Sequence, residues 1–329
     1  MHPHNRKMIA VILLLPIVVA LAVWAFAWPA AHQAPRHLPV GVAGPAAAQL
    51  EQRFAGQEGA FEVTRYADEA AARDAIEARD IYGAVVTGPD GPTVLTATAA
   101  SPAVAQLLTT AAGEGAAVED VVAAPAADPR GAALAASALP LALAGVVSGA
   151  LVTLLGLHGR RTAGALVGGA ALLGLVAAAL AHSWLHILTG NWWAEAGVFG
   201  LIALAGGSVV AGIAAHVGPR GIALGAVLVI LLGNGFSGLT SAPEMLPRPV
   251  GAIGQWLPPG AGGTLLRSVA FFDGNAVAAP LLALGLWVVA GMALVALRAK
   301  QLPGPMSSVV PSSLNRQETP RAAALADSN

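Results

Sequence analysis

A few polar groups in an otherwise apolar chain have the types and spacing for chemistry. Ser237 sits in Gly235-Phe236-Ser237-Gly238. A serine becomes a nucleophile only with a base within hydrogen-bond reach. No histidine follows His216, so the base would have to be His182 or His186. These stand i and i+4 and would share one helical face. The same pair with Glu195 offers two imidazoles and a carboxylate, three candidate metal ligands. The intervening sequence is Ser-Trp-Leu, without the glutamate that a metalloprotease helix carries inside its histidine pair. The expectation for all four is structural. The histidines flank Trp184 at an interface, Glu195 is interfacial beside Trp192 and Trp193, and Ser237 packs or caps at a glycine break. No catalytic residue, metal site or bound cofactor is expected in this chain, and it is not expected to be an enzyme.

The elements that hold these residues follow from composition. The chain of 329 residues is 56% apolar and 11% charged, with a mean hydropathy of +0.69. A soluble domain carries about 25% charge, so this is a polytopic α-helical membrane protein. Cysteine is absent, which excludes disulfides and thiolate sites. No basic patch points to a nucleic-acid partner. Six apolar runs are long enough to cross a bilayer: 8–28, 134–157, 163–182, 198–217, 222–239 and 276–297. The first exceeds the apolar core of a cleaved leader and is expected to be retained. This gives an N-terminal span over 1–29, an α/β domain over 30–133, a five-helix membrane domain over 134–298, and a disordered tail over 299–329.

The α/β domain holds most of the acidic residues, expected on a solvated face. It opens on a linker marked by Pro35, Pro39 and Pro45. Strands are expected over 61–66, 82–86, 93–98 and 118–122. Helices are expected over 68–79, with Arg79 complementing the dipole at its end, and over 101–110, with Ser101 as N-cap. Residues 88–91 form a turn.

Charge placement predicts orientation. Arg6, Lys7, Arg160, Arg161, Arg220, Arg298 and Lys300 fall on one side if six spans alternate, and short basic loops stay cytoplasmic. Both termini are then cytoplasmic, and the α/β domain is extracytoplasmic, between spans one and two. No charged residue lies at the middle of a span, so no ion-coupling carboxylate is expected there. Gly145/Gly149, Gly164/Gly168 and Gly221/Gly225 have the spacing of close helix contacts.

Between spans five and six the chain stays apolar but breaks repeatedly, at Gly233, Gly235, Gly238, Pro243, Pro247, Pro249, Pro258 and Pro259. A continuous helix cannot hold these prolines. Broken backbone at membrane depth is tolerated only under cover of protein or a cavity. The motifs here are Gly233–Phe236, Ser237-Gly238, 241–247 (Ser-Ala-Pro-Glu-Met-Leu-Pro), 257–260 (Leu-Pro-Pro-Gly), 263–267 (Gly-Thr-Leu-Leu-Arg) and Phe272-Asp273-Gly274. With one span, a large outer domain and five further spans, the chain resembles the permeases of type 2 ABC transporters, in the YhgE/Pip-related branch. The resemblance implies a re-entrant segment over 240–272 that helps close the outer side of a pathway. Asn234, Ser237, Gly238, Pro243, Glu244, Pro247, Pro258 and Pro259 would form that gate, with Gly260, Gly262 and Gly263 allowing close backbone approach. It implies cytoplasmic coupling through His158, Arg160 and Arg161. The chain has no phosphate-binding G-x-x-x-x-G-K-[ST] loop, so ATP would be bound by a separate cytoplasmic ATPase subunit. The permease would pair with a second copy or a related chain in the cytoplasmic membrane, among its lipids, and export a lipid, peptide or drug. Two alternatives remain. One is a membrane-anchored receptor or scaffold binding through its outer domain. The other is an intramembrane serine protease, since Gly235–Gly238 and six spans resemble the rhomboid type.

Overall fold

The computed structural model describes residues 3–301, apart from 58, 90 and 114. The expected tail beyond Gln301, Asp90 of the turn, and the side chains of Arg6, Lys7 and Lys300 lie outside the described residues. Five helices are long and apolar enough to cross a membrane: Ile12–Ala31, Ala132–Leu154, Arg160–Trp184, Trp192–Val217 and Ala278–Ala299. The protein is membrane-embedded.

Helix α1 (Pro3–Ala31) stands mostly bare, with leucines and isoleucines exposed along it. It touches the rest near its C-terminal end, where Ala25 is fully buried and Trp24 meets the Phe236 ring edge-on at 6.1 Å. The α/β domain follows: β1 (Leu38–Ala43), α2 (Ala47–Ala55), β2 (Phe61–Arg65), α3 (Glu69–Glu77), β3 (Gly83–Gly88), β4 (Gly91–Thr96), α4 (Pro102–Ala112) and β5 (Ala117–Asp120). The sheet order is β2-β1-β3-β4-β5. β1 runs parallel to both neighbours, β3 and β4 form an antiparallel hairpin, and β5 is parallel to β4. Asp68 and Ser101 cap α3 and α4 by accepting from Ala71 N (2.8 Å) and Val104 N (3.2 Å). Most carboxylates of this domain are exposed; Asp128 is buried.

The expected linker at 35–45 is corrected by β1, an inner strand whose Val40 and Val42 are buried. Pro39 is tolerated because its carbonyl still accepts from Tyr82 N (3.0 Å), and pairing with β3 begins only at Gly41.

Seven further α-helices follow the α/β domain. They are α5 (Ala132–Leu154), α6 (Arg160–Ala178), α7 (Trp192–Val217), α8 (Arg220–Ala226), α9 (Val250–Trp256), α10 (Pro258–Phe271) and α11 (Ala278–Gln301). α6 continues in a wider π-type turn over Ala179–Trp184, and α8 over Val227–Asn234. Asp128 caps α5 by accepting from Ala133 N (3.1 Å) and Leu134 N (2.9 Å). α7 is the central post: α5, α6, α8, α10 and α11 all pack on it, and most of its length is buried.

Two of the three glycine pairs explain how these helices approach. A Cβ on Gly149 would lie 2.6 Å from Gly207 O, and one on Gly225 would lie 2.7 Å from Val210 Cγ2. Gly145 and Gly221 are close to α7 in the same way. Gly164 and Gly168 face open space, so their spacing carries no contact among the described residues.

The run 222–239 departs from expectation. Its helix covers Arg220–Asn234 and stops at the glycines that follow. At ~1.5 Å per residue its 7 and 8 residues reach about 22 Å, less than a ~30 Å hydrocarbon core.

Candidate functional site

The chemistry-bearing side chains gather where the α/β domain meets the broken segment. Past α8 the chain turns sharply. Gly235 lies so close to α1 that a Cβ would be 2.5 Å from Ala25 O, and Gly238 adopts a positive φ of 68°. Ser237 Oγ donates to Asn234 O at 2.8 Å, closing the end of the helix. The Asn234 amide oxygen is buried without a partner. Pro243 opens a single 3-10 turn over Pro243–Met245, and Pro247 O accepts from Val250 N (2.8 Å) to start α9. Pro258 and Pro259 stand in the first turn of α10, where no intrahelical N–H is needed.

α10 then runs beside α7 from within the bundle to its domain end. A Cβ on Gly262 would overlap Ile202, ten residues into α7 and so ~15 Å from its start. At its other end Ala270 lies against Gly190, just before α7 begins, and Thr189 Oγ1 donates to Ala270 O (3.3 Å). Gln255 fastens the return. Its Nε2 donates to Ser237 O (3.0 Å), and its Oε1 accepts from Thr264 Oγ1 (2.6 Å).

The α/β domain grips this segment from above. Ala34 N and Arg36 Nη1 both donate to Met245 O, at 3.0 and 2.9 Å. Tyr82 Oη donates to Glu244 Oε2 at 2.8 Å. Arg79 leaves the end of α3 with φ 66°, which corrects its expected role at that helix's dipole. Instead its Nη1 donates to Thr264 O (2.9 Å) and Ser268 Oγ (2.5 Å), while its guanidinium lies 5.0 Å from the Phe272 ring centroid. Arg267, buried in α10, donates to Leu239 O at 2.5 Å. A cavity of about 200 Å³ remains between these groups, lined by Arg79, Tyr82, Ser241, Glu244, Gln255 and Arg267 among others. Burial lowers the Arg79 guanidinium from its usual value, with Tyr82 and Glu244 acting against that. Burial and then Glu244 push the Tyr82 phenol well above its ordinary range.

Of the residues singled out in sequence, Asn234, Ser237, Gly238, Pro243, Glu244, Pro247, Pro258 and Pro259 all lie in this broken segment. His158, Arg160 and Arg161 are exposed at the opposite end of the bundle. His158 borders a second cavity of about 250 Å³ with Thr162 and Arg298. Sequence reasoning missed Arg36, Arg79, Tyr82 and Arg267. The available signal was Arg267 itself, a charge within the otherwise uncharged helix Pro258–Phe271.

The candidate chemistry of His182, His186 and Glu195 resolves differently. Glu195, expected to be unburied beside Trp192 and Trp193, is fully buried within the protein, because α7 starts at Trp192 and turns it inward. Its Oε1 accepts from Gly190 N (2.9 Å), and its Oε2 lies 2.8 Å from His182 Nδ1. His186 sits past the helix with φ 54°, exposed, its Nδ1 3.0 Å from Trp184 O. The two histidines therefore do not share a face. No group of three or more His, Asp or Glu among the described residues is placed to hold a metal. The described partners of Ser237 Oγ are Asn234 O and Leu239 N, and neither is a base.

No protein-family model, characterised protein or solved structure matches this chain.

Proposed function

We propose that the chain is the membrane-embedded permease subunit of an ATP-driven exporter in the cytoplasmic membrane. One observation carries the reading. The segment after α8 folds back against α7 and is held from the other side by Arg36, Arg79 and Tyr82. Broken, glycine-rich backbone covered by protein on both sides is what a movable closure at membrane depth requires, and a simple anchor has no use for it. In this reading α8 is a shortened sixth crossing, matched to the bilayer by local thinning or tilt. The α/β domain is extracytoplasmic and both termini are cytoplasmic. His158, Arg160 and Arg161 face a separate ATPase subunit, which binds the ATP. Two permease chains pair around a pathway for a hydrophobic or amphipathic cargo: a lipid, a peptide or a drug. In this reading Ser237 is structural, its hydroxyl closing a helix end.

A second reading, a receptor or scaffold for an envelope ligand, is favoured by the cavity between the α/β domain and α10. Affinity purification of the gently solubilised full chain, followed by mass spectrometry, separates the two. A stoichiometric ATPase supports the permease, and a lipid retained in fixed ratio names the cargo. An envelope protein or wall fragment retained without any ATPase, in several detergents and in nanodiscs, rejects the permease and supports the receptor.

A further inference from the structure

The cavity between the α/β domain and α10 is lined by hydrogen-bond donors, at Arg267 and Ser241, that the described residues do not fill. Two guanidiniums, Arg79 and Arg267, line it, and of the two carboxylates at its wall Glu244 has its Oε2 engaged by Tyr82. Asp80 also borders the cavity but is exposed and outside the hydrogen bonds that join the domain to α10. Arg267 is only 6% exposed and has one hydrogen bond among the described residues, to Leu239 O. The rest of its planar fork is left to the space it lines. Ser241 is 1% exposed, lines the same space, and its hydroxyl has no partner. A buried hydroxyl left without a partner is costly, and buried polar groups are normally satisfied. The space of about 200 Å³ far exceeds what one water needs.

We infer that this cavity binds a compact oxyanion, a phosphate or carboxylate group, held by Arg267 and Arg79 with Ser241 donating a hydrogen bond. Guanidinium forks match the paired oxygens of such groups, which a chloride ion does not present. The group could arrive free in solution or on a lipid headgroup. α10 climbs from within the bundle to this level, where Trp193 lies exposed at the start of α7 and aromatic rings favour the headgroup layer. The inference rests on neither reading of the chain's function.

The test uses the full chain in dodecyl maltoside at constant ionic strength. Its thermal unfolding is followed against inorganic phosphate, acetate or dihexanoyl phosphatidylglycerol. The expected result is a rise of about 3 °C at saturation. It should be absent in Arg267→Gln and need about fivefold more anion in Ser241→Ala. A variant-sensitive rise with phosphate or acetate identifies a free anion. A rise confined to the lipid, with the same sensitivity, identifies a headgroup. If Arg267→Gln does not fold, Ser241→Ala decides, because it removes one oxygen and no packing. No rise with any of the three probes, or a rise of equal midpoint in Ser241→Ala and the parent, overturns the inference.

Discussion

Gly149→Ala and Gly164→Ala replace the same residue in the same small-x-x-x-small pattern, yet should move stability in opposite directions. At Gly149 the new methyl would sit 2.6 Å from Gly207 O, where ordinary contact begins near 3.4 Å. Helix α5 must then retreat from α7 by the difference, about 0.8 Å. A gap of that size forfeits roughly a quarter to a half of each dispersion contact along the seam. Overpacking of this kind costs about 1–3 kcal/mol. Gly164 has nothing within 4 Å, so its methyl meets open space. Only the backbone preference of alanine over glycine remains, worth about 0.5–1 kcal/mol in favour of the helix. The assay is thermal unfolding of both variants and the parent in one detergent, followed by light scattering and circular dichroism. Gly149→Ala should melt several degrees lower, and Gly164→Ala at or slightly above the parent. Equal destabilisation by both would refute the assignment of α7 as the helix that α5 closes upon.

Asp128→Ala removes the carboxylate that accepts from Ala133 N and Leu134 N. It should cost about 1 kcal/mol, read as a lower melting temperature that Asp128→Asn partly restores. Tyr82→Phe takes from Glu244 its one side-chain donor among the described residues. The expected cost is about 1–3 kcal/mol, seen as faster hydrogen exchange in 240–256 and unchanged exchange in the sheet. Both tyrosines, Tyr66 and Tyr82, have phenols raised above the ordinary value, mainly by burial. Their contribution to stability is therefore complete below the ordinary phenol range and is lost as pH climbs above it. An ultraviolet titration showing normal phenolate formation in the folded protein would contradict this. Hydrogen bonding to Arg73 holds the Glu119 carboxyl below its usual range. Any stabilisation is thus present above the ordinary glutamate value and fades as pH falls through the depressed one. Arg73→Gln should return Glu119 toward the usual range in a carbon-13 titration, with little change in melting temperature because the pair is exposed.

What could be read from sequence was local. Alternation at 61–65 and 93–96, the capping role of Ser101, and the long apolar helices all express short-range physics. So does the helix break at Gly233–Gly238. β1 escaped because Pro39 mimics a linker, and only the partner strands show that its missing donor costs no ladder bond. Gly149 and Gly164 are indistinguishable by spacing, since the difference lies in what stands opposite. The burial of Glu195 was hidden, because it depends on α7 beginning at Trp192 and turning that side chain inward. The junction was least legible. Arg79 and Ser268 are 189 residues apart, and nothing near Arg79 signals that its φ turns positive and sends the side chain across to another element.

The position of α7 has a consequence for biosynthesis. A chain is delivered from its N-terminus, and domains generally fold as units in that order. The sheet of residues 38–120 is complete long before α10 exists, so Arg79 and Tyr82 must wait uncovered while more than a hundred residues are made. α5 and α6 likewise wait for α7, and α7 in turn keeps part of its surface unpartnered until α10 and α11 arrive. Any chain that stalls before Pro258 leaves a finished head on an unfinished stem, with its cationic underside and a bare apolar ridge displayed together. Those two surfaces are what a membrane quality-control protease would meet; the arrival of α10 hides the first, and α10 and α11 together hide the second.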